Sequence, residues 1–318
     1  MFEIKLERLG RFTQIKILNS TTGEFLSFLP EIGGAINGLT LQKNGKLISL
    51  LYTSLKKATL LSDREKQFKG SKLFPFPNRV CDGIYIWHGK TYRLPINFPS
   101  EGHTIHGLVL TAKFKIMDKK ISSDSAMVKI EYDYDGSYPG YPFKFKLYLT
   151  YTLTKSAGVI FKTVAENTDK TEIPVGDGWH PYFQTGSKVD ELEIEIPSDQ
   201  IIEVNQRMIP TGKIIHSDEY SRKVHIQNHH FDVCYKVTES YKGKAYTEIS
   251  DPARKITLTV WQETGKNKYN YLQIHTPLDR RSIAIEPITC IPDAFNNKMG
   301  LVILKPNDTI TLEFGIKV

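Results

Sequence analysis

Cysteine is scarce. The 318 residues hold three, Cys81, Cys234 and Cys290, far apart and with no CxxC pair. That excludes a disulfide framework and a cysteine-based zinc site, and fits reduced thiols in a cytoplasmic protein. Long apolar runs are missing too: nothing approaches the roughly 18 consecutive apolar residues of a membrane-spanning helix. The opening "MFEIKLERLGRFTQIKI" has charges every few residues and no apolar centre of a secretory signal. No membrane partner is expected. Repeats of fixed period, low-complexity tracts and flexible linkers are also absent, so residues 1–318 are expected to form one domain. An acidic excess is lacking, since the formal net charge is +7. A basic balance can signal nucleic acid. Here the lysines are scattered singly, the patches "SLKKA" and "DREKQFKGSK" are short, and no helix-turn-helix, finger or RNP pattern occurs. No nucleic-acid partner is expected.

What the chain does contain is strand signal. "FKFKLYLTYTL" (143–153) puts Phe143, Phe145, Leu147, Leu149, Tyr151 and Leu153 on one face, with mainly Lys and Thr on the other. Period two marks a half-buried antiparallel strand. Similar runs are "MVKIEYDYDG", "ELEIEIPS", "KVHIQ", "KITLTVWQ", "YLQIHT", "SIAIEP" and "TITLEFGIKV", separated by turn clusters such as "SYPGYP", "ENTDKTEIP" and "KPND". Residues 54–68, "SLKKATLLSDREKQF", are the single helix candidate. The pattern predicts an all-β sandwich or barrel.

Four clusters carry residues able to do chemistry. In "LFPFPNRVCDGIYIWHGKTYRLPIN" (73–97), prolines fix the backbone before Asn78 and Arg79. In "EGHTIHGLVL" (101–110), His103 and His106 stand three apart. In an extended segment they point to opposite faces, which argues against a shared metal ion. "GDGWHPYF" (176–183) sets His180 among aromatic rings. In "IAIEPITCIPDAFNN" (283–297), Glu286 leaves an apolar strand, where desolvation would raise its pKa and make it a better base. Cys81, near Arg79, reads as packing, and His229 and His230 as a surface turn.

In order and spacing, these segments, with "EIGGAINGLTL" (31–41), "MIPTGKI" (208–214), "FDVCYKV" (231–237) and "GLVILKPNDTITLEF" (300–314), resemble the aldose 1-epimerase (galactose mutarotase) family. The "GWHPYF" and "EPITCIPDAFN" forms are similar to its mutarotase-related branch. The resemblance covers most of the chain and implies a large antiparallel β-sandwich, the supersandwich. It implies interconversion of the α and β anomers of an aldose through the open-chain aldehyde, without metal or organic cofactor. By position it makes Glu286 the base and His180 the acid. Arg79 and His106 would bind sugar and support the acid, Asp232 would hold sugar hydroxyls, and Asn78 and Gln273 would add polar contacts. Trp179, Tyr182 and Phe183 would supply apolar walls for the sugar. The expected partner is a small aldose, and the chain is expected to be a monomer or homodimer.

Two rival functions fit the same resemblance. A hexose-6-phosphate 1-epimerase would need an extra cation for the phosphate, for which Arg207, Arg280 and Arg281 are candidates. A non-catalytic carbohydrate-binding protein could use the same fold.

Overall fold

Alternation decides the architecture. In the strand Phe145–Thr154 every second side chain is buried, from Phe145 through Leu147, Leu149 and Tyr151 to Leu153. The computed structural model describes residues 1–51 and 67–318 and places this strand in a nine-stranded antiparallel sheet. Across that sheet the order is Lys115–Ile121, Ser125–Tyr134, Phe145–Thr154, Val159–Asn167, Thr309–Lys317, Ile256–Glu263, Lys244–Asp251, Glu193–Glu195 and Val224–His225. Each of the period-two runs quoted above contributes a strand to this sheet or to the next.

A second sheet carries most of the candidate site residues. Its order is Pro210–His216, Gln200–Val204, Asp232–Lys236, Tyr271–His275, Ile283–Ile288, Gly178–His180 and Ser71–Leu73, with Tyr182–Phe183 also paired to Ile283–Ile288. The first 49 residues form a five-stranded meander. The sheets meet through aromatic rings. Trp179, fully buried, lies 6.0 Å from Tyr151, 5.7 Å from Phe161 and 5.9 Å from Phe314 on the nine-stranded sheet. Phe28 of the meander stacks on the Tyr151 ring at 3.7 Å. The result is the all-β, antiparallel sandwich expected. Among the described residues the helices are the four-residue Ala294–Asn297 and the 3₁₀ turns Cys81–Gly83 and Val189–Glu191. None is long and apolar enough to cross a membrane. The helix expected over 54–68 lies outside the described residues except for its last two positions.

Register positions the site. Gly178 pairs with Ile288, and Tyr182 pairs with Ala284. The offset is the same on both sides of Pro181, so His180 stands directly opposite Glu286. On the other flank Gln273 pairs with Glu286, and His180 also pairs with Ser71. One row therefore runs Ser71, His180, Glu286, Gln273 across four strands. Two residues along, Tyr182, Ala284, His275 and Asp232 form a second row. Side chains two apart share a face, so both rows look the same way. The intervening Trp179, Ile285 and Ile274 look into the sandwich and are buried.

Two loops close over this face. Gly107 forms a bridge with Phe74, and Leu108 N–H donates to Phe74 O at 2.7 Å. Gly107 has φ 82°, and a Cβ there would sit 2.2 Å from Phe74 O. Only glycine tolerates both the left-handed backbone and that approach. Gly107→Ala is expected to cost at least ~2 kcal/mol, read as a lowered urea midpoint at unchanged slope. A wild-type midpoint would show that the two loops do not need this contact.

Candidate active site

The two rows and the two loops enclose a cleft of about 560 Å³. Asn78, Arg79, His106, His180, Asp232, Gln273 and Glu286, drawn from six separate stretches of sequence, all line it. At its floor His180 Nε2 lies 3.3 Å from Glu286 Oε1, and the two side chains are only 5% and 2% exposed. Tyr182 stacks on the imidazole nearly parallel, with centroids 4.9 Å apart, which fixes the ring plane. Among the described residues His180 Nδ1 and Glu286 Oε2 have no hydrogen-bond partner.

Desolvation dominates the electrostatics of this pair. Burial pushes Glu286 well above the ordinary carboxylate range; the Asp232 charge adds to that, and the Arg79 charge opposes it. Burial likewise holds His180 well below the ordinary imidazole value, helped by His106 and His275. A carboxylate with a raised pKa is a stronger base, and an imidazolium with a lowered one is a stronger acid.

His106 forms the adjacent wall. Its ring is 5.2 Å from that of His180, and Phe68 packs edge-on against it at 4.4 Å. Its backbone is left-handed, φ 67°, a conformation costly for a side chain this size. The chain is held there by His106 N–H donating to Asn78 O at 3.3 Å and by Nδ1 donating to Pro77 O at 2.7 Å. With Nδ1 committed as donor, Nε2 is left as an acceptor. Burial lowers the His106 pKa to about 3, so the ring stays neutral.

The polar wall is a relay. Asn78 Oδ1 accepts from Arg79 N–H at 2.8 Å and from Arg79 Nη1 at 3.2 Å. Asn78 Nδ2 reaches Gln273 Oε1 at 3.4 Å, and Gln273 Nε2 donates to Asp232 Oδ1 at 2.7 Å. Arg79 Nη2 closes the circuit at 3.8 Å from Asp232 Oδ2. The Arg79 guanidinium also grips Glu101 with both prongs, Nε at 2.6 Å and Nη2 at 3.0 Å, a geometry that fixes the fork's plane.

Several sequence expectations need correction. Trp179 and Phe183 do not wall the cleft; being odd-numbered neighbours of His180 and Tyr182, they face the interior and are at most 1% exposed. Of the three expected aromatics only Tyr182 lines the cleft, joined there by Phe68 and Phe98. His230 follows a surface turn at Gln227 and Asn228 rather than lying in it, and lines the cleft. Glu101, His275 and Phe68 were not foreseen. His275 had a usable signal, since it follows Gln273 by two on the same strand. Glu101 had none.

His103 and His106 do diverge. His103 leaves the cleft, and with Cys81 and Asp82 it brings ligand-type atoms within 4.8 Å of one another. Its Nδ1 accepts from Asp82 N–H at 3.1 Å and its Nε2 donates to Arg207 O at 3.0 Å, so neither nitrogen is open to a metal. Of the arginines considered for phosphate, Arg207 pairs with Asp82, while Arg280 pairs with Asp190 and donates to the carbonyls of His229 and Gln227. Arg281 is exposed, and none of the three lines the cleft.

A family model described as "Aldose 1-epimerase" matches residues 17–317. The uncharacterized protein YihR of Escherichia coli K12 is 27% identical over 254 residues, 78% of this chain and 78% of that protein. Human galactose mutarotase is 27% identical over 156 residues, 48% of this chain and 43% of that protein. The crystal structure of a galactose mutarotase-like protein from Clostridium acetobutylicum superposes with a TM-score of 0.87 at 26% identity, covering 99% of this chain and 98% of that one.

The hydrogen bond from His106 to Pro77 fixes a tautomer that can be observed directly. Nitrogen-15 NMR of the imidazoles is expected to show His106 neutral and protonated on Nδ1 down to about pH 5. An Nε2–H form, or protonation near the ordinary imidazole pKa, would contradict the geometry.

Proposed function

The chain belongs to the aldose 1-epimerase family, and from that premise we propose that it interconverts the α and β anomers of an unphosphorylated hexose, with Glu286 as base and His180 as acid. The observation that carries this reading is the 3.3 Å contact between a buried carboxyl and a buried imidazole at the floor of a sugar-sized cleft. Ring opening needs one proton removed from the anomeric hydroxyl and one delivered to the ring oxygen. Glu286 as carboxylate takes the first, and His180 Nε2–H gives the second. The C1–ring oxygen bond breaks with its electrons going to the ring oxygen, and the O–H electrons become the new carbonyl. Rotation about C1–C2 presents the other face of the aldehyde, and closure runs both transfers backwards.

The pair therefore starts as carboxylate and imidazolium and passes through carboxyl and neutral imidazole. Burial favours that neutral arrangement, which is therefore the resting form of the one-proton pair, and ring opening draws on its minor carboxylate–imidazolium isomer, in which each group is the stronger base or acid. His106 Nε2, Arg79, Asp232, Gln273 and Asn78 hold the sugar hydroxyls, with Tyr182 and Phe68 against its C–H faces. Arg207 and Arg280, engaged with protein partners away from the cleft, are not the cations a phosphosugar would meet there, and among the described residues Lys69 is the lysine that lines it.

Polarimetry of freshly dissolved α-D-glucose and α-D-galactose tests the proposal. Glu286→Gln and His180→Asn should each remain folded and lose about 10²–10⁴ of the acceleration. Full activity in either variant would refute its assigned role. Acceleration of glucose 6-phosphate alone would favour the phosphosugar rival, and sugar binding without acceleration would favour a binding protein.

The pH profile carries a second test. The pair works with one shared proton, between two apparent pKa values that belong to the pair. A second proton binds only below the depressed His180 value, and the last proton leaves only above the elevated Glu286 value. The rate above background should thus be bell-shaped, with its acid limb below the ordinary imidazole pKa and its alkaline limb above the ordinary carboxylate range. A single acid limb at the ordinary carboxylate pKa would contradict it.

A further inference from the structure

Beneath the catalytic row, on the interior face of the same sheet, lies an ion pair that the chemistry does not use. Lys72 Nζ donates to Asp177 Oδ1 at 2.5 Å and to Gly178 O at 3.2 Å, with both charged side chains fully buried. Tyr269 OH donates to the same Asp177 oxygen at 2.7 Å. The Asp177 backbone is tied to the far strand twice: its N–H donates to Thr289 Oγ1 and its C=O accepts from Thr289 N–H, each at 2.9 Å. The Lys72 ammonium also sits 4.8 Å from the Trp179 ring.

Stability alone is a poor explanation for this arrangement. A fully desolvated ion pair is often no better than apolar residues of the same volume. The strain of burial is visible in both partners, as it pulls Lys72 down to about 8 and pushes Asp177 up. The ladder to the Glu286 strand is interrupted here: it is registered at Gly178 and again only at Tyr182 and Phe183. The His180 strand is three residues long, Pro181 follows with no N–H to give, and Gly178 is that strand's one registered partner on the Glu286 strand. A slip of one residue would turn His180 into the core and Trp179 into the cleft.

We propose that Lys72, Asp177, Tyr269 and Thr289 are positioning residues that lock the His180 strand against the Glu286 strand in the one register that sets acid opposite base. Lys72 holds the carbonyl two residues before His180, and Thr289 holds the backbone three residues before it. Asp177 joins the two, and Tyr269 keeps its carboxylate oriented. The inference rests on His180 and Glu286 being the proton-transfer pair.

The test is the paired variant Lys72→Met/Asp177→Asn, which removes both charges at similar volume and leaves an oxygen for Tyr269. Each single variant should lose stability by stranding a polar partner. The paired variant should recover much of it in urea unfolding, yet keep kcat about tenfold to a hundredfold down with KM within about twofold of wild type. Backbone amide exchange at Trp179, His180 and Thr289 should also rise. A folded paired variant with wild-type kcat and wild-type exchange would overturn the proposal, since the pair would then be structural only. If the paired variant fails to fold, Tyr269→Phe removes a single hydrogen bond, and wild-type kcat there would overturn it equally. Glu286→Gln, run alongside, separates the two claims. Activity in that variant would sink the acid–base assignment, while the exchange rates would still judge the register lock on their own.

Discussion

Everything this site does depends on one antiparallel register. Gly178 opposite Ile288 is a single backbone pairing between stretches more than a hundred residues apart. It puts a carboxyl against an imidazole and carries Tyr182 into the next row, while the neighbouring pairings set Gln273 on the carboxyl's other side and Asp232 beyond His275. The loops then add what the sheet cannot, Arg79 and His106 from above, each fixed by backbone or carboxylate partners before any sugar arrives. Preorganisation of this kind means little would have to move for the proposed proton transfers.

Burial is the second organising force, and it acts on chemistry and packing at once. The cleft floor is dry enough to move Glu286 up and His180 down. The interior face a strand's thickness away is dry enough to make Lys72 and Asp177 an expensive pair to keep. The sheet thus separates two ionic systems by face: one proposed to exchange protons with a ligand, and one sealed among aromatic rings. Alternation along three residues, 178 to 180, is enough to keep them apart.

The fold was largely legible because period-two patterning is local. Phe145–Thr154, Ser125–Tyr134 and Thr309–Lys317 could each be read from their own residues. The candidate site was legible for a different reason, the resemblance of "GWHPYF" and "EPITCIPDAFN" to a family, and not because any spacing placed His180 near Glu286. What stayed hidden was pairing at long range. Nothing in "SEGHTIHG" says that Glu101 will clasp Arg79, and nothing in "GSKLFPF" distinguishes Lys72, fully buried, from an ordinary solvated lysine. The misreading of Trp179 and Phe183 had a remedy in the sequence: alternation alone assigns them to the face opposite His180, and their aromatic character pointed the other way.

The row arrangement also bears on how such a protein can change through descent. A structural relative at 26% identity keeps the same chain course, so side chains around the rows can be exchanged gradually and in many orders. A one-residue insertion or deletion between Asp177 and Tyr182, or between Ala284 and Thr289, is another matter, because it reverses the facing of every residue beyond it. Lineages of this fold should accumulate substitutions in these two stretches while preserving their length. Length variation should collect in the loops that surround the cleft, where it would change the shape of the opening without disturbing the two rows.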